Sequence, residues 1–323
     1  MLRFVEYFKG ISFKENQIHV ATTGAIIPID KHLRQDVMAV IRIFLYFATR
    51  SIKRLLTRTA STGTLAFYPQ MPGPWYNIWQ VSRLAGLKTI SDLSQADYVF
   101  IFEDKTVSQY DKVPVENLTA LTLNMHIDDI SKEHVADIFE EVFGYALRID
   151  PLTHIGLAIQ KSNANGTHDG VVIQCPLAQS ELKLDQTYQR LVDSTFDGKT
   201  SEDLRVAYVL GEIALVYHKH KPLMDRFGTD YLSVDVLSAV DVFSENEIKL
   251  IVQFCEKAGL DFGAVDVMRD KHDGRIYIVD VNKTCMPVLS LKLKEQIKSQ
   301  SVIAGALMRG IARRASVSSE KHI

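Results

Sequence analysis

Three oxygen-bearing side chains stand close together near the C-terminal end of the sequence. Asp266 lies in the apolar segment Phe262–Met268, and Asp280 and Asn282 close a second apolar segment that begins at Ile276. Side chains alternate along a strand, so Asp280 and Asn282 share a face, and Asp266 can join them across an antiparallel pair. An ordinary polar hairpin face is the alternative. Acids on buried strands are costly, however, unless they are paired or bind a cation.

Two carboxylates and an amide oxygen form a hard oxygen site of the kind that Mg²⁺ prefers. Magnesium keeps several waters and takes further ligands from substrate phosphates. A triphosphate that transfers its terminal group needs its charge neutralised and its oxygens oriented. The sequence therefore predicts a magnesium site at Asp266, Asp280 and Asn282 that serves a reaction of ATP.

The chain from about Ser131 to Leu293 resembles the ATP-grasp superfamily, in which a closing strand pair supplies an acid on one strand and an acid-x-Asn on the next. The resemblance implies a core of two α+β lobes that clasp a nucleotide, with ATP and Mg²⁺ as cofactors and Mn²⁺ as an alternative ion. It also implies a ligase that activates a carboxylate as an acylphosphate, which an amine or thiol then attacks. Carbon–nitrogen bond formation is the outcome we expect.

The same resemblance assigns the phosphate-binding and catalytic positions. Lys161, in IQKSNANGTHDG, matches the family lysine that contacts the nucleotide phosphates, and Lys132 is the candidate for an additional phosphate lysine. Arg205, in EDLRV, is similar to the arginine that reaches the transferred group. Arg205 and Lys161 are therefore the candidate catalytic residues, with a solvated turn lysine as the alternative for Lys161.

The segment YQRLVD resembles the hinge strand of the family, whose backbone binds adenine. Gln189, Arg190 and Leu191 would line that slot, and Asp193 would bind the ribose. Lys219 belongs to a basic run, HKHKPLMDRF, that follows the next strand. It is a candidate phosphate ligand, and a solvated strand end explains it equally well.

The acceptor is not identified by the sequence, and it is either a small molecule or a peptide. Two other functions remain open beside the ligase. One is an ATP-dependent phosphotransferase, a kinase that acts on a hydroxyl or another acceptor. The other is a non-catalytic nucleotide-binding protein, which the single glycine of the phosphate loop, Gly166, favours.

The elements that must position these residues follow an α/β pattern and then a strand-rich α+β pattern. We expect an N-terminal extension over residues 1–60 and a small α/β domain over 61–130, because strands and helices alternate there. The ATP-grasp domain is expected over 131–313. The remaining residues, 314–323, are rich in serine and charge and are expected to be disordered.

The N-terminal extension contains an amphipathic basic helix at about residues 33–58. Its apolar positions recur at helical spacing, and arginines and lysines accompany them. One interpretation is a helix that packs on its own domain or on a second subunit of a homodimer. The other is an interfacial helix that makes peripheral contact with an anionic membrane.

The composition is that of an ordinary globular protein, with 46% hydrophobic residues. A net charge of -2 argues against nucleic acid as a partner, because binding to a phosphate backbone requires a basic excess. The three cysteines are far apart and show no disulfide or zinc spacing. With no secretory signal visible, we expect a cytoplasmic protein in a reducing compartment.

Overall fold

The computed structural model describes residues 11–20, 26–116, 118–167, 169–225 and 231–320. The first ten residues of the predicted N-terminal extension and the last three of the predicted tail lie outside this part of the chain. The chain divides into two compact units. The first contains the chain up to Met125 and again from Lys283 onward, and the second is His126–Asn282.

The first unit begins with a small antiparallel sheet and a long helix. The strands of this sheet are β1 (Ile11–Lys14), β2 (Gln17–Val20) and β3 (Ile26–Pro28). Helix α1 (Lys31–Leu56) follows, and the Asp30 side chain caps it by accepting the backbone N–H of Leu33 at 2.9 Å. This cap satisfies one of the amide groups that a helix start leaves without a partner.

A parallel four-stranded sheet of order β5-β4-β6-β7 forms the α/β part of the first unit. Its elements in chain order are β4 (Thr64–Pro69), α2 (Asn77–Leu84), β5 (Lys88–Thr89), β6 (Tyr98–Phe102), α3 (Val113–Glu116) and β7 (Leu121–Leu123). Parallel strands need crossovers, and the apolar run of β6 is buried as expected for a strand covered on both faces.

The second unit opens with helix α4 (Lys132–Phe143) and two antiparallel sheets. The smaller sheet has the order β10-β8-β9, and the larger has the order β13-β12-β11-β14-β15. The strands of the smaller sheet are β8 (Gly156–Ser162), β9 (Val171–Cys175) and β10 (Gln186–Arg190). The larger sheet contains β11 (Thr200–Val209), β12 (Glu212–Pro222), β13 (Ser233–Leu237), β14 (Phe262–Arg269) and β15 (Ile276–Asn282), with helix α5 (Glu245–Lys257) between β13 and β14.

Helix α5 covers the apolar face of the larger sheet. Ser244 and Glu247 form a capping box, with the Ser244 hydroxyl accepting the Glu247 N–H at 3.3 Å. Phe254 and Ile251 pack into the same core as Val265 and Val267 of β14. Apolar residues therefore occupy one face of the larger sheet, and this leaves the other face for polar side chains.

The last helix, α6 (Leu293–Glu320), belongs to the first unit. The sequence placed the chain up to residue 313 with the ATP-binding domain and expected order to end there. Instead, Leu293 and Ile297 pack against Phe47 of α1 and Trp79 of α2, and the helix continues to Glu320. Apolar contacts with the first unit decide where this helix belongs. None of the described helices is both long and apolar enough to cross a membrane.

Gly259 ends α5 in a left-handed conformation, with φ of 71°, at a close approach of two backbones. A Cβ atom at this position would lie 2.5 Å from the carbonyl oxygen of His126. Gly274, in the turn between β14 and β15, has nearly the same φ, 72°, but a Cβ there would meet nothing within 4 Å. A comparison of alanine substitutions at the two positions therefore separates the cost of a left-handed backbone from the cost of steric overlap.

We expect Gly259→Ala to destabilise the protein by about 3 kcal/mol or more, because left-handed strain adds to an overlap that backbone must absorb. Gly274→Ala should cost only about 1–2 kcal/mol, since it carries the strain alone. Urea unfolding followed by circular dichroism measures both changes. Equal losses in the two variants would contradict the close approach to His126.

Candidate active site

The polar face of the larger sheet brings the predicted catalytic arginine and the predicted metal ligands into one row. Arg205 of β11 pairs with Asp266 of β14, and Asp266 pairs in turn with Asp280 of β15. Residues that lie directly opposite each other in a sheet share a face. Asn282 lies two residues beyond Asp280, and its Nδ2 donates to Asp266 Oδ2 at 3.2 Å.

A β-bulge between β14 and β15 sets this register. Val267 lies opposite Ile278, so an uninterrupted ladder would place Val279 opposite Asp266. The register shifts at this point, and Asp280 takes that position instead. Bulges insert one unpaired residue and redirect the side chains beside it. The pairing of the two acids therefore depends on Val279 as the inserted residue.

Asp266 is buried and is held by cations. Arg205 Nε donates to Asp266 Oδ1 at 2.8 Å and Arg205 Nη2 to Oδ2 at 2.9 Å, which makes a bidentate pair. Lys219 Nζ lies 3.5 Å from Oδ1. Burial by itself would raise the pKa of Asp266, but Arg205 and Lys219 outweigh it and hold that pKa below its usual range.

Lys219 bridges two carboxylates on the same face. Its side chain is 1% exposed, and its Nζ lies 2.7 Å from Asp203 Oδ2 as well as 3.5 Å from Asp266 Oδ1. The ring of Tyr231 lies 5.3 Å from the same Nζ. Burial and Arg205 lower the pKa of Lys219, yet the two carboxylates raise it above its ordinary value. Lys219 thus neutralises the protein's own acids, and a contact with nucleotide phosphate stays a prediction.

Asp280 differs from Asp266 because no side chain neutralises it. Its Oδ1 accepts the backbone N–H of Val281 at 3.1 Å, and within the described ranges it forms no ion pair. Burial raises the pKa of Asp280, with Lys132 and Lys161 acting in the opposite direction. A half-buried carboxylate of this kind presents charge that a cation would compensate.

The two predicted phosphate lysines approach the same carboxylate from other elements. Lys161 of β8 donates from its Nζ to the Val279 carbonyl oxygen at 3.4 Å, and burial lowers its pKa to about 8. Lys132 is the first residue of α4, and its Nζ donates to the Ala164 carbonyl oxygen. Burial also lowers the pKa of Lys132, while the charge of Asp280 opposes this shift.

The loop that follows β8 lies against β15. Asn165 Nδ2 donates to the Val281 carbonyl oxygen at 3.3 Å, and the Asn163 carbonyl oxygen accepts the backbone N–H of Lys132 at 3.0 Å. These contacts connect the phosphate loop, the start of α4 and the acid-bearing strand. The second unit therefore gathers Lys132, Lys161 and Asp280 around one location.

The predicted nucleoside residues lie on β10 and just beyond it. The predicted strand runs to Asp193, but β10 ends at Arg190, so Leu191 and Asp193 follow it in irregular chain. Gln189 is buried, and its Nε2 has no hydrogen-bond partner in the part of the chain that the structure describes. Arg190 donates from Nη1 to the Tyr277 hydroxyl, and its guanidinium carbon lies 4.8 Å from the centre of that ring.

Asp193, the predicted ribose ligand, is engaged by the turn between β14 and β15. Its Oδ2 lies 2.7 Å from Lys271 Nζ and 3.1 Å from His272 Nε2. Burial would raise the pKa of Asp193, but hydrogen bonds from Lys271 and Thr195 hold it below its usual range. A ribose hydroxyl would share this carboxylate with both side chains.

The donor set fits a magnesium ion that brings phosphate oxygens with it. Asp280 offers an uncompensated carboxylate, and Asn282 turns its amide nitrogen to Asp266, which leaves its carbonyl oxygen for a cation. Arg205 already occupies both oxygens of Asp266. No cluster of three or more His, Cys, Asp or Glu side chains able to hold a metal occurs among the residues that the structure describes.

Two acids near the site were not singled out by the sequence analysis. Asp203 pairs with Lys219, and its position two residues before Arg205 on one strand was the signal that could have revealed it. Asp169 accepts the Ser162 N–H at 3.1 Å and the Thr167 hydroxyl at 2.8 Å, and its charge acts on Lys132 and Lys161. No spacing rule marks Asp169, because a loop brings it back to β8.

A solved ATP-grasp ligase structure is similar over most of this chain, and the chain has the ATP-grasp fold. The predicted fold class, α/β and α+β, is confirmed. No family model matches the sequence, and no curated protein matches it.

Solved structures of several ATP-grasp ligases are similar to the chain. The ligase PsnB, complexed with a minimal precursor, has a TM-score of 0.50 at 11% identity over 78% of this chain and 100% of that chain. The macrocyclase MdnC from Microcystis aeruginosa, bound with precursor peptide MdnA, has a TM-score of 0.47 at 13% identity, covering 76% and 99%. The D-alanine–D-alanine ligase from Bacillus anthracis, complexed with ATP, has a TM-score of 0.48 at 13% identity, covering 80% and 100%. At 11% identity the likeness to PsnB establishes the fold alone.

The lowered pKa of Lys161 makes the free energy of unfolding depend on pH. Its folded pKa of about 8 lies below the ordinary 10.5, so the unfolded chain binds more protons between these values. The contribution of Lys161 to stability therefore rises with pH across that window. We expect Lys161→Met to be more stable than the unaltered protein by about 1–2 kcal/mol at pH 7, with the gain shrinking above pH 8.

Urea unfolding at pH 7 and at pH 9.5 measures this difference. The control is Lys249→Met, which changes an exposed lysine of α5 and should leave stability within about 0.5 kcal/mol at both values. A pH-independent effect of Lys161→Met would contradict a buried, readily deprotonated lysine.

Proposed function

We propose that the protein is an ATP- and magnesium-dependent ligase that activates a carboxylate as an acylphosphate for attack by an amine. The observation that carries this proposal is the row Arg205, Asp266, Asp280 with Lys132 and Lys161 beside its last member. Cations and carboxylates arranged in this way suit a polyphosphate whose terminal group is transferred. The ATP-grasp fold supports the same assignment.

Each residue has a chemical role in this proposal. Asp280, Asn282 and Asp266 would hold Mg²⁺, which neutralises phosphate charge and orients the oxygens. Lys161 and Lys132 bind phosphate oxygens as point charges on flexible stems. Arg205 stabilises the charge that develops on the transferring group, once it shares Asp266 with the ion.

The proposed reaction has two steps. A carboxylate oxygen of the substrate attacks the terminal phosphorus of ATP, and ADP leaves with the electrons of the broken bond. The amine then attacks the acyl carbon, phosphate leaves, and the amine loses a proton. Because each step forms one bond and breaks one, no oxidant or reductant is required.

We infer that the acceptor is a peptide, with a small molecule as the alternative. PsnB, whose TM-score reaches 0.50, is an ATP-grasp ligase that was solved with a minimal precursor. A peptide supplies both a side-chain carboxylate and an amine. The adenine and ribose would lie against β10, with Gln189, Arg190, Leu191 and Asp193 as their candidate contacts.

We expect Asp280→Ala to abolish ATP turnover and leave the fold intact, because it removes the carboxylate that no side chain neutralises. ADP release with candidate peptides measures turnover, and circular dichroism checks the fold. The matched control is Asp273→Ala, which removes an exposed acid from the turn that follows β14. Retained turnover in Asp280→Ala would exclude the proposed magnesium site.

Product analysis distinguishes the ligase from a kinase and from a non-catalytic nucleotide-binding protein. A ligase releases ADP and phosphate and yields an amide or thioester. A kinase instead leaves a stable phosphoester, and a non-catalytic protein binds nucleotide without turnover. Mass spectrometry of the acceptor distinguishes the three outcomes.

A further inference from the structure

Helix α1 has two apolar faces, and the residues of its unit that the structure describes cover only one of them. Ile43 and Phe47 are buried against Trp79 of α2, and Leu293 and Ile297 of the C-terminal chain pack on the same cluster. This contact confirms that the helix packs on its own domain. It accounts for one stripe of the apolar residues that the sequence analysis noted.

The opposite face carries large apolar side chains that are exposed. Leu55 and Leu56 are 79% and 78% exposed, and Leu45 and Ile52 are 58% and 59% exposed. The other members of this face are Val37, Met38 and Ile41. At 100° per residue these side chains lie along the side of the helix away from Ile43. Contiguous exposed apolar surface of this extent marks an interaction site.

Basic residues border this face on one side. Lys31, Arg42 and Lys53 are each about three helical turns apart, so they align along one edge of the apolar face. Arg34 is also exposed near the start of the helix. The helix contains six lysines and arginines and a single acid, Asp36. Lys31, Arg34, Arg42 and Lys53 are all exposed to solvent.

The charge along this edge indicates whether the apolar face binds a second copy of the chain or a lipid surface. In a symmetric dimer the same patch meets itself, so one basic edge would face another basic edge or an apolar face. Neither arrangement provides an acid to neutralise Lys31, Arg42 and Lys53. Anionic lipid headgroups provide that negative charge over the whole length of the helix, and the acyl boundary accepts the apolar side chains.

We propose that α1 is a membrane-surface helix that docks the protein on anionic lipid through this exposed apolar face. The helix is 26 residues long, which corresponds to about 39 Å lying in the plane of the interface. Ile43 and Phe47 keep it fixed to its own unit while the other face enters the headgroup region. This proposal does not depend on the ATP site, which lies in the second unit.

Vesicle co-sedimentation tests the proposal with the full chain. We expect binding to phosphatidylcholine vesicles that contain about one third phosphatidylglycerol, and weak binding to phosphatidylcholine alone. Arg42→Gln with Lys53→Gln should weaken binding about 25-fold, at about fivefold for each charge. Raising the salt to about 0.5 M should weaken it as well, because salt screens exposed charges.

A matched pair of variants separates docking from general charge. Lys294→Gln with Lys298→Gln removes the same charge from exposed positions of α6 and should leave vesicle binding unchanged. Ile52→Glu with Leu55→Glu should reduce vesicle binding to the background while ATP turnover and melting temperature stay the same. Both residues are exposed, so the fold does not depend on them.

Two results would overturn the proposal. The first is equal binding to neutral and anionic vesicles, or none to either. The second is a dimer, seen by light scattering, that Ile52→Glu with Leu55→Glu dissociates without any effect on vesicles. The second result would assign the face to another copy of this chain.

Discussion

The charged side chains on the polar face of the larger sheet must neutralise one another, and this requirement constrains the arrangement of side chains in the second unit. The opposite face packs against α5, so the side chains of the polar face must satisfy one another at limited exposure. Arg205 and Lys219 neutralise Asp266, and Asp203 completes the set. Asp280 is excluded from this network and has only nearby lysines from other elements. Arg205, Lys219, Asp266 and Asp203 thus neutralise one another without a ligand, whereas Asp280 has no ion pair within the described residues.

Much of this face could be predicted because strand periodicity is a local property. Alternation placed Asp280 and Asn282 on one side of β15 and predicted that Asp266 would join them, and the structure has all three together. The proximity of Lys161 could be predicted only through the family resemblance. The bulge at Val279 could not be predicted, because the register of a strand pair depends on packing on both faces.

Other features depend on contacts between distant parts of the chain, which composition and spacing do not encode. Lys219 is one of several basic residues after β12, and only the folded sheet shows that Asp203 neutralises it. Strand β13 is difficult to recognise from the sequence, because it is an edge strand with mostly exposed side chains and its apolar alternation is weak. Helix α6 was assigned to the wrong neighbours, since its apolar stripe fits either unit on periodicity alone.

The bidentate grip of Arg205 on Asp266 has a consequence for the order of events at the site. A lone divalent ion from solution would have to compete with a guanidinium for that carboxylate and would still lack most of its ligands. An ion that arrives already chelated by nucleotide brings negative oxygens that Arg205 can bind in exchange. In the proposed site, Arg205 would then direct its charge at the phosphates rather than at Asp266. If the proposed function holds, the Arg205–Asp266 pair would therefore favour the binding of metal and nucleotide as one complex.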